Sequence, residues 1–291
     1  MKWLLLCSSA LYLFGGYKRV LFLAGLATEL AYLAVRGIGL GRLPLIGPHD
    51  TLVFFSASIA LMAAPFFFNK SLQVVDRFNW RMSFVAALSA FLACFSRLLL
   101  WHFPPMIIYL LYVSLLIFSC VLAFKASKSF CWLSSFSAGL FALHAFSVHS
   151  VAMPLPPILR TLWFELHVAL AFFAYALFGI GALLGAMFLA SRERPLLDLQ
   201  YRASLVGYSF FSASMVAGGI WGYYAWGTYW LWTPKELWTS ILWLFYSLYL
   251  HLRLKGTRWD KVVAWGGIIG FAVALFTYLG VSMLMKSSHS F

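Results

Sequence analysis

The chain has 291 residues, 63% of them hydrophobic and 10% charged, with a formal net charge of +13. A soluble domain carries about 25% charged residues, so this composition excludes a water-soluble globular fold and predicts an all-α polytopic membrane protein. In a membrane chain the excess of Lys and Arg is first explained by the positive-inside bias, and no nucleic-acid partner is expected.

A membrane span needs about 20 apolar residues. Ten candidate spans meet or approach this: about 3–17, 20–35, 50–68, 82–100, 105–124, 130–150, 163–190, 204–222, 237–252 and 262–284. The first two are short and separated only by Lys18–Arg19. They read as a tight helical hairpin, or with one partly interfacial, so the expected bundle has about 8–10 transmembrane helices. The first apolar run lacks a small-residue cleavage site and reads as a span rather than a removable signal. Cys7, Cys94, Cys120 and Cys131 all lie in apolar stretches, with no CxxC or CxxCH pattern. They read as packed small residues, and a covalent c-type haem on this chain is not expected.

Charge sets the expected orientation. With alternate loops cytoplasmic, one side collects Lys18, Arg19, Lys70, Arg77, Arg81, Lys125, Lys128, Arg192, Arg194, Arg202, Arg253, Lys255, Arg258 and Lys261. The other side receives Lys2, Arg36, Arg42, Arg160, Lys235 and Lys286, while Arg97 falls inside a span. This asymmetry places both termini outside. The loops are short, and no soluble domain or repeat stands out.

The most informative stretch is Trp226–Trp238, WGTYWLWTPKELW, with tryptophan at 226, 230, 232 and 238. Gly227 lets the backbone turn. Thr233 reads as a helix N-cap with Pro234 at the first helical position and Glu236 in the first turn. The segment before Pro234 then forms an aromatic shelf on the outer side. Two readings stay open from the residues alone: an aromatic belt anchoring two helix ends, or the wall of a flat-ligand site. The same topology puts His167 at the outer end of the seventh span and His289 just beyond the outer end of the last. Both approach the shelf, as axial ligands to an iron macrocycle would. His251 ends the ninth span on the opposite side, where it either snorkels to the interface or serves a site within the membrane. His49, His102, His144 and His149 read as interfacial or structural. The last two do not share one helical face.

The pattern WGTYWLWTPKELW followed by YLHLR at 249–253 resembles the tryptophan-rich "WWD" signature of the cytochrome c assembly family, of CcsA/ResC type with shorter CcmC-type relatives. LWFELHVALAFFAYALFGIGALLGAMFLA (162–190) is similar to the family's span that opens with an external histidine, and YLGVSMLMKSSHSF (278–291) to its ending. LGRLPLIGPHDTLVF (40–54) distantly resembles a segment before an early span. The resemblance divides the chain into divergent membrane helices over 1–160 and a haem-handling core over 161–291. It implies non-covalent haem b held against Trp226, Gly227, Tyr229, Trp230, Trp232 and Trp238, with His167 and His289 as axial ligands to the iron. It further implies that His251 holds haem within the membrane, beside a CcsB/ResB-type subunit. Haem would then be presented to the CxxCH thiols of apocytochrome c outside, by a haem lyase component in a bacterial inner membrane rather than a thylakoid. Glu29 and Arg97, charges within spans, would pair with each other or meet haem propionates. The chain departs from the family at Thr233, where relatives carry aspartate, and at Arg42, where they commonly carry histidine. These departures leave open a paralogue that binds haem or supports a quinone-linked complex without attaching haem to cytochromes.

Overall fold

The computed structural model describes residues 2–15, 18–69, 72, 78–99, 104–150 and 155–284. Helices carry almost all of it: α1 (Lys2–Gly15), α2 (Arg19–Leu40), α3 (Pro48–Ala63), α4 (Trp80–Leu99), α5 (Pro105–Ala126) and α6 (Phe130–Ser147) in the first half. In the second half come α7 (Leu162–Ser191), α8 (Arg194–Trp226), α9 (Pro234–Arg253), α10 (Asp260–Leu275) and a last turn α11 (Val281–Leu284). The protein is an all-α polytopic membrane protein. Each expected span corresponds to a helix, the tenth being α10 and α11 joined by a π-helical segment, Phe276–Gly280.

Among the described residues, seven helices are long and apolar enough to cross a membrane by length and composition. Helices α1 and α9 fall outside these seven for physical reasons. Helix α1 has 14 residues, a rise of about 21 Å against a hydrocarbon core of about 30 Å. Helix α9 carries Lys235, Glu236, Thr239, Ser240, Ser247, His251 and Arg253, which lower its hydropathy. Helix α8 starts about ten residues before the expected span, because Pro195 opens a polar first portion that includes Asp198 and Arg202. Helices α7 and α8, with 30 and 33 residues, rise about 45–50 Å and outreach the hydrocarbon.

The chain forms two compact units, residues 1–153 and 154–291. In the first, α1, α2, α3 and α6 pack against one another, and α4 pairs with α5. Their core is unusually polar for membrane helices. Ser8, Ser9, Glu29, His49, Asp50, Ser56 and Ser135 are all buried. His49 is structural, as expected: its Nδ1 donates to the Ala145 carbonyl at 2.8 Å and its Nε2 accepts from the Tyr32 hydroxyl at 2.6 Å. Glu29 accepts from the Tyr12 hydroxyl, and the Arg36 guanidinium pairs with Asp50, at 3.0 and 3.2 Å; the Arg97 side chain lies outside the described residues.

In the second unit α7 lies along α8 and α10, and α9 packs on both α8 and α10. Phe178 of α7 and Tyr246 of α9 stack at 3.7 Å between centroids, which ties these helices through the middle. At one end Arg253 of α9 pairs with Asp198 of α8 and with Asp260 at the start of α10. The tryptophan-rich turn lies at the other end of α9, about 29 Å away at 1.5 Å per residue.

Candidate functional site

The turn is built by its own side chains. Helix α8 ends at Gly227, whose left-handed φ of 74° lets its N–H return to the Tyr223 carbonyl at 2.9 Å. Any residue with a Cβ would be strained there. Helix α9 starts with a complete capping box. The Thr233 hydroxyl accepts from the Glu236 N–H at 3.4 Å, and Glu236 Oε2 accepts from the Thr233 N–H at 3.0 Å. The same carboxylate oxygen takes the Leu231 N–H at 2.8 Å. Glu236 thus holds the amides on both sides of Trp232, the residue forced to φ +57°. A bulky side chain in the left-handed region costs about 1–2 kcal/mol, and the buried carboxylate is what keeps it there. Thr233, expected to cap, does so.

One cleft opens between α7, α8, the turn and the start of α9. It is lined by His167, Tyr175, Ser214, Gly218, Trp221, Trp226, Tyr229, Trp230, Lys235, Glu236 and Tyr278, among others, and encloses about 140 Å³. His167 is the key group. Its Nδ1 lies 2.8 Å from the Ser214 carbonyl, which can only accept, so Nδ1 carries the proton and Nε2 keeps its lone pair. Ser214 Oγ donates to the His167 carbonyl at 2.7 Å, which locks α7 and α8 in register at that point. Gly218 makes room for the ring: a Cβ there would sit 2.6 Å from His167 Nδ1. Behind it, Trp221 lies almost parallel to the imidazole, at 11° and 6.4 Å between centroids. The Trp221 indole N–H is satisfied by the Ile158 carbonyl at 2.8 Å, as a buried indole requires. Trp226 meets Trp221 edge-on at 4.9 Å.

The opposite wall comes from the last helix. The π-helical segment Phe276–Gly280 adds a residue to the turn, and Tyr278 there contacts Phe172 and Tyr175. The Lys235 ammonium lies 5.8 Å from the centre of the Tyr278 ring. The cleft is therefore aromatic on its faces, with one imidazole acceptor and one ammonium.

The structure brings His167, Trp226, Tyr229 and Trp230 to this cleft, and Gly227 supplies the turn that joins them. Trp232 is 71% exposed and lies outside the cleft lining; Trp238 faces Phe276 at 4.5 Å. His251 sits at the far end of α9, exposed, with Nδ1 bonded to the Ser247 carbonyl at 2.7 Å. His289 and His102 lie outside the described residues. Sequence reasoning passed over Ser214, Gly218, Tyr175 and Tyr278, and named Lys235 only within the motif and among the outer-side charges. The two tyrosines carried a signal, as lone polar groups inside apolar spans. Ser214 and Gly218 carried none, since their importance is a contact with another helix.

The chain matches the family described as cytochrome C assembly protein over residues 46–289, most of its length. It belongs to the cytochrome c assembly protein family. The family match begins within the first unit, well before the tryptophan-rich motif. The chain is 36% identical over 156 residues to the cytochrome c biogenesis protein CcsA of Chlamydomonas reinhardtii, covering 48% of this chain and 43% of that protein. It is 33% identical over 173 residues to the CcsA of Prochlorococcus marinus strain MIT 9312, covering 47% and 56%. It is also 34% identical over 166 residues to protein NrfI of Wolinella succinogenes, covering 52% of this chain and 18% of that protein. The chain thus spans about half the length of the CcsA relatives it matches and a smaller part of NrfI.

Proposed function

We propose that this protein is a haem-handling membrane component of cytochrome c biogenesis. It holds haem b non-covalently at the tryptophan-rich turn, on the outer face of a bacterial inner membrane, and presents it to the CxxCH thiols of an apocytochrome. Both chain ends lie on that outer side, and a CcsB/ResB-type subunit is the membrane partner. The observation that carries this reading is His167, whose Nδ1–H bond to the Ser214 carbonyl leaves Nε2 as an iron-ready acceptor in an aromatic cleft.

The chemistry of the lining suits the cargo, and haem, larger than the 140 Å³ the cleft encloses, would extend over the open turn. Trp221, Trp226, Tyr229 and Trp230 offer flat apolar faces, and Lys235 offers the cation that suits an anionic propionate. His289, following the last helix, is the second axial ligand in this reading, and His251 serves haem on its way from the cytoplasmic side. Bound haem supplies the iron to be ligated and the vinyl carbons to be joined to thiols. The contribution of the protein is to position it, convert an encounter into a held geometry, and keep the iron ligated until a partner arrives.

The decisive experiment is a pyridine haemochrome spectrum of the purified protein, with His167→Ala and His289→Ala compared in a cytochrome c maturation assay. A b-type spectrum lost in both variants, together with lost maturation, is expected. Full maturation with both variants would sink the reading. Haem retention in wild type alongside normal cytochromes in a deletion strain would favour a haem-b electron-transfer subunit, the outcome to which the uncharged Thr233 points.

A further inference from the structure

A second polar system lies in the core of the second unit, near the Arg253 end, in residues the haem reading does not use. Gln200 and Ser204 of α8 and Tyr249 of α9 are buried, each with 2% exposure or less. Gln200 and Ser204, spaced i, i+4, share one face of α8; Tyr249 and Arg253 share one face of α9 in the same way. Opposite them α7 and α10 carry glycine. A Cβ at Gly267 of α10 would collide with Gln200 Nε2, and one at Gly185 of α7 would lie 2.6 Å from it. A Cβ at Gly181 would lie 2.9 Å from Ser204 Oγ, and one at Gly266 would lie 3.0 Å from Tyr249 Cδ2. Four helices therefore meet around three polar side chains.

Their hydrogen bonds do not close among themselves. Gln200 Nε2 donates to the Ala264 carbonyl of α10 at 3.3 Å, which leaves Oε1 as the other end of the amide. Gln200 Oε1, Ser204 Oγ and the Tyr249 hydroxyl have no hydrogen-bond partner among the described residues, although Ser204 and Tyr249 are side-chain neighbours across α8 and α9. Buried polar atoms are nearly always satisfied. Oε1 can only accept, while the two hydroxyls both donate and accept, so the guest they call for must do both. Oε1 turns an anion away. No carboxylate stands among the three to balance a cation, since Asp260 is held by Arg253 and Arg194. A small neutral molecule remains, and water is the one that buried polar groups take. The way in is polar. Asp260 lies one turn before Ala264 on α10, with its buried Oδ1 3.6 Å from Arg253 Nη1 and no hydrogen bond. Asp198, paired with the same arginine, is 59% exposed. Polar groups thus lead inward from Asp198 and stop at the Phe178–Tyr246 stack.

We propose that this junction is an internal water site, filled from the Arg253–Asp260 end. Water accepts from the Tyr249 hydroxyl and donates to Gln200 Oε1 and Ser204 Oγ, so that α9 is joined to α8 through solvent held inside the helix core.

Hydroxyl-radical footprinting by X-ray radiolysis, with the full chain in lipid nanodiscs and mass spectrometry as the readout, tests this. The radicals form from water where it sits, so a side chain beside internal water is hydroxylated despite its burial. Tyr32 is the control: it is as buried, at 1%, and its hydroxyl is bonded to His49. Tyr249 is expected to be hydroxylated several-fold faster than Tyr32. Gln200→Leu combined with Ser204→Ala removes both acceptors and should bring Tyr249 down to the Tyr32 rate. A wild-type Tyr249 no faster than Tyr32, or a Tyr249 rate unchanged in the folded double variant, would overturn the proposal. Should the double variant not fold, Ser204→Ala alone deletes one acceptor: a lowered Tyr249 rate supports the site and an unchanged rate overturns it.

Discussion

Substitution of Gly218 by alanine tests how the candidate ligand is held. The new methyl would lie 2.6 Å from His167 Nδ1 and 2.9 Å from Cε1, well inside ordinary contact. Either the ring retreats or α8 shifts, and such overpacking costs about 1–3 kcal/mol. The bond from Nδ1 to the Ser214 carbonyl, 2.8 Å in the native geometry, is then stretched, with a further loss of about 1 kcal/mol. Groups that orient a metal-bound histidine are worth roughly 10–100-fold in affinity, so haem affinity should fall by that factor. The control is Gly219→Ala on the next residue of the same helix. There the nearest atom to an added Cβ is the Tyr229 carbonyl oxygen, at 3.5 Å. Both variants gain the same helix propensity, about 1 kcal/mol, so their difference isolates the clash. Haem titration of both apo-proteins in nanodiscs, followed at the Soret band with thermal melts alongside, measures it. Equal affinity for the two folded variants would refute the argument that Gly218 and Ser214 aim His167.

Three further outcomes follow from the turn and the first unit. Thr233→Asp keeps an N-cap and should change stability by less than about 0.5 kcal/mol, whereas Thr233→Val should lose about 1 kcal/mol; thermal melts in detergent separate them, and equal losses would show that the cap does not matter. Trp232→Gly removes left-handed strain and should stabilise the turn by about 1 kcal/mol, read as slower proteolysis at the turn; if it weakens haem retention at the same time, the exposed ring touches the ligand. Asp50→Leu removes the buried carboxylate that pairs with the partly buried Arg36 and should cost about 3 kcal/mol, while Arg36→Leu with Asp50→Leu recovers most of it; a double variant as unstable as the single would contradict a pairwise account.

The sequence by itself determined the class of the protein. Apolar runs near membrane thickness located the helices, and Thr233, Pro234 and Gly227 marked the ends of α9 and α8, because caps and turns depend on residues adjacent in the chain. The spacing of Trp, Gly, Pro, Lys and Glu also carried the resemblance to the family. Among the described residues run length alone does not set α1 and α9 apart from the seven longer apolar helices, because α1 is short and α9 carries polar side chains. What the tertiary structure alone decided is which rings share a cleft. Trp226 and Trp230 line it with His167, while Trp238 turns to Phe276 and Trp232 faces outward. Neighbouring residues on a tight turn point in different directions, so counting tryptophans cannot sort them. The partners of His167 lie about fifty positions away, on α8, and Tyr278 enters through a π-helical turn in the last helix. The same is true of Glu29, which sequence alone could place beside Arg97. Only the packing of α1 and α3 on α2 shows that a tyrosine bonds it, and that Arg36 of its own helix is taken by Asp50. Contacts between helices depend on rotation about each axis, and a nearly uniform apolar sequence leaves that rotation to be set by packing.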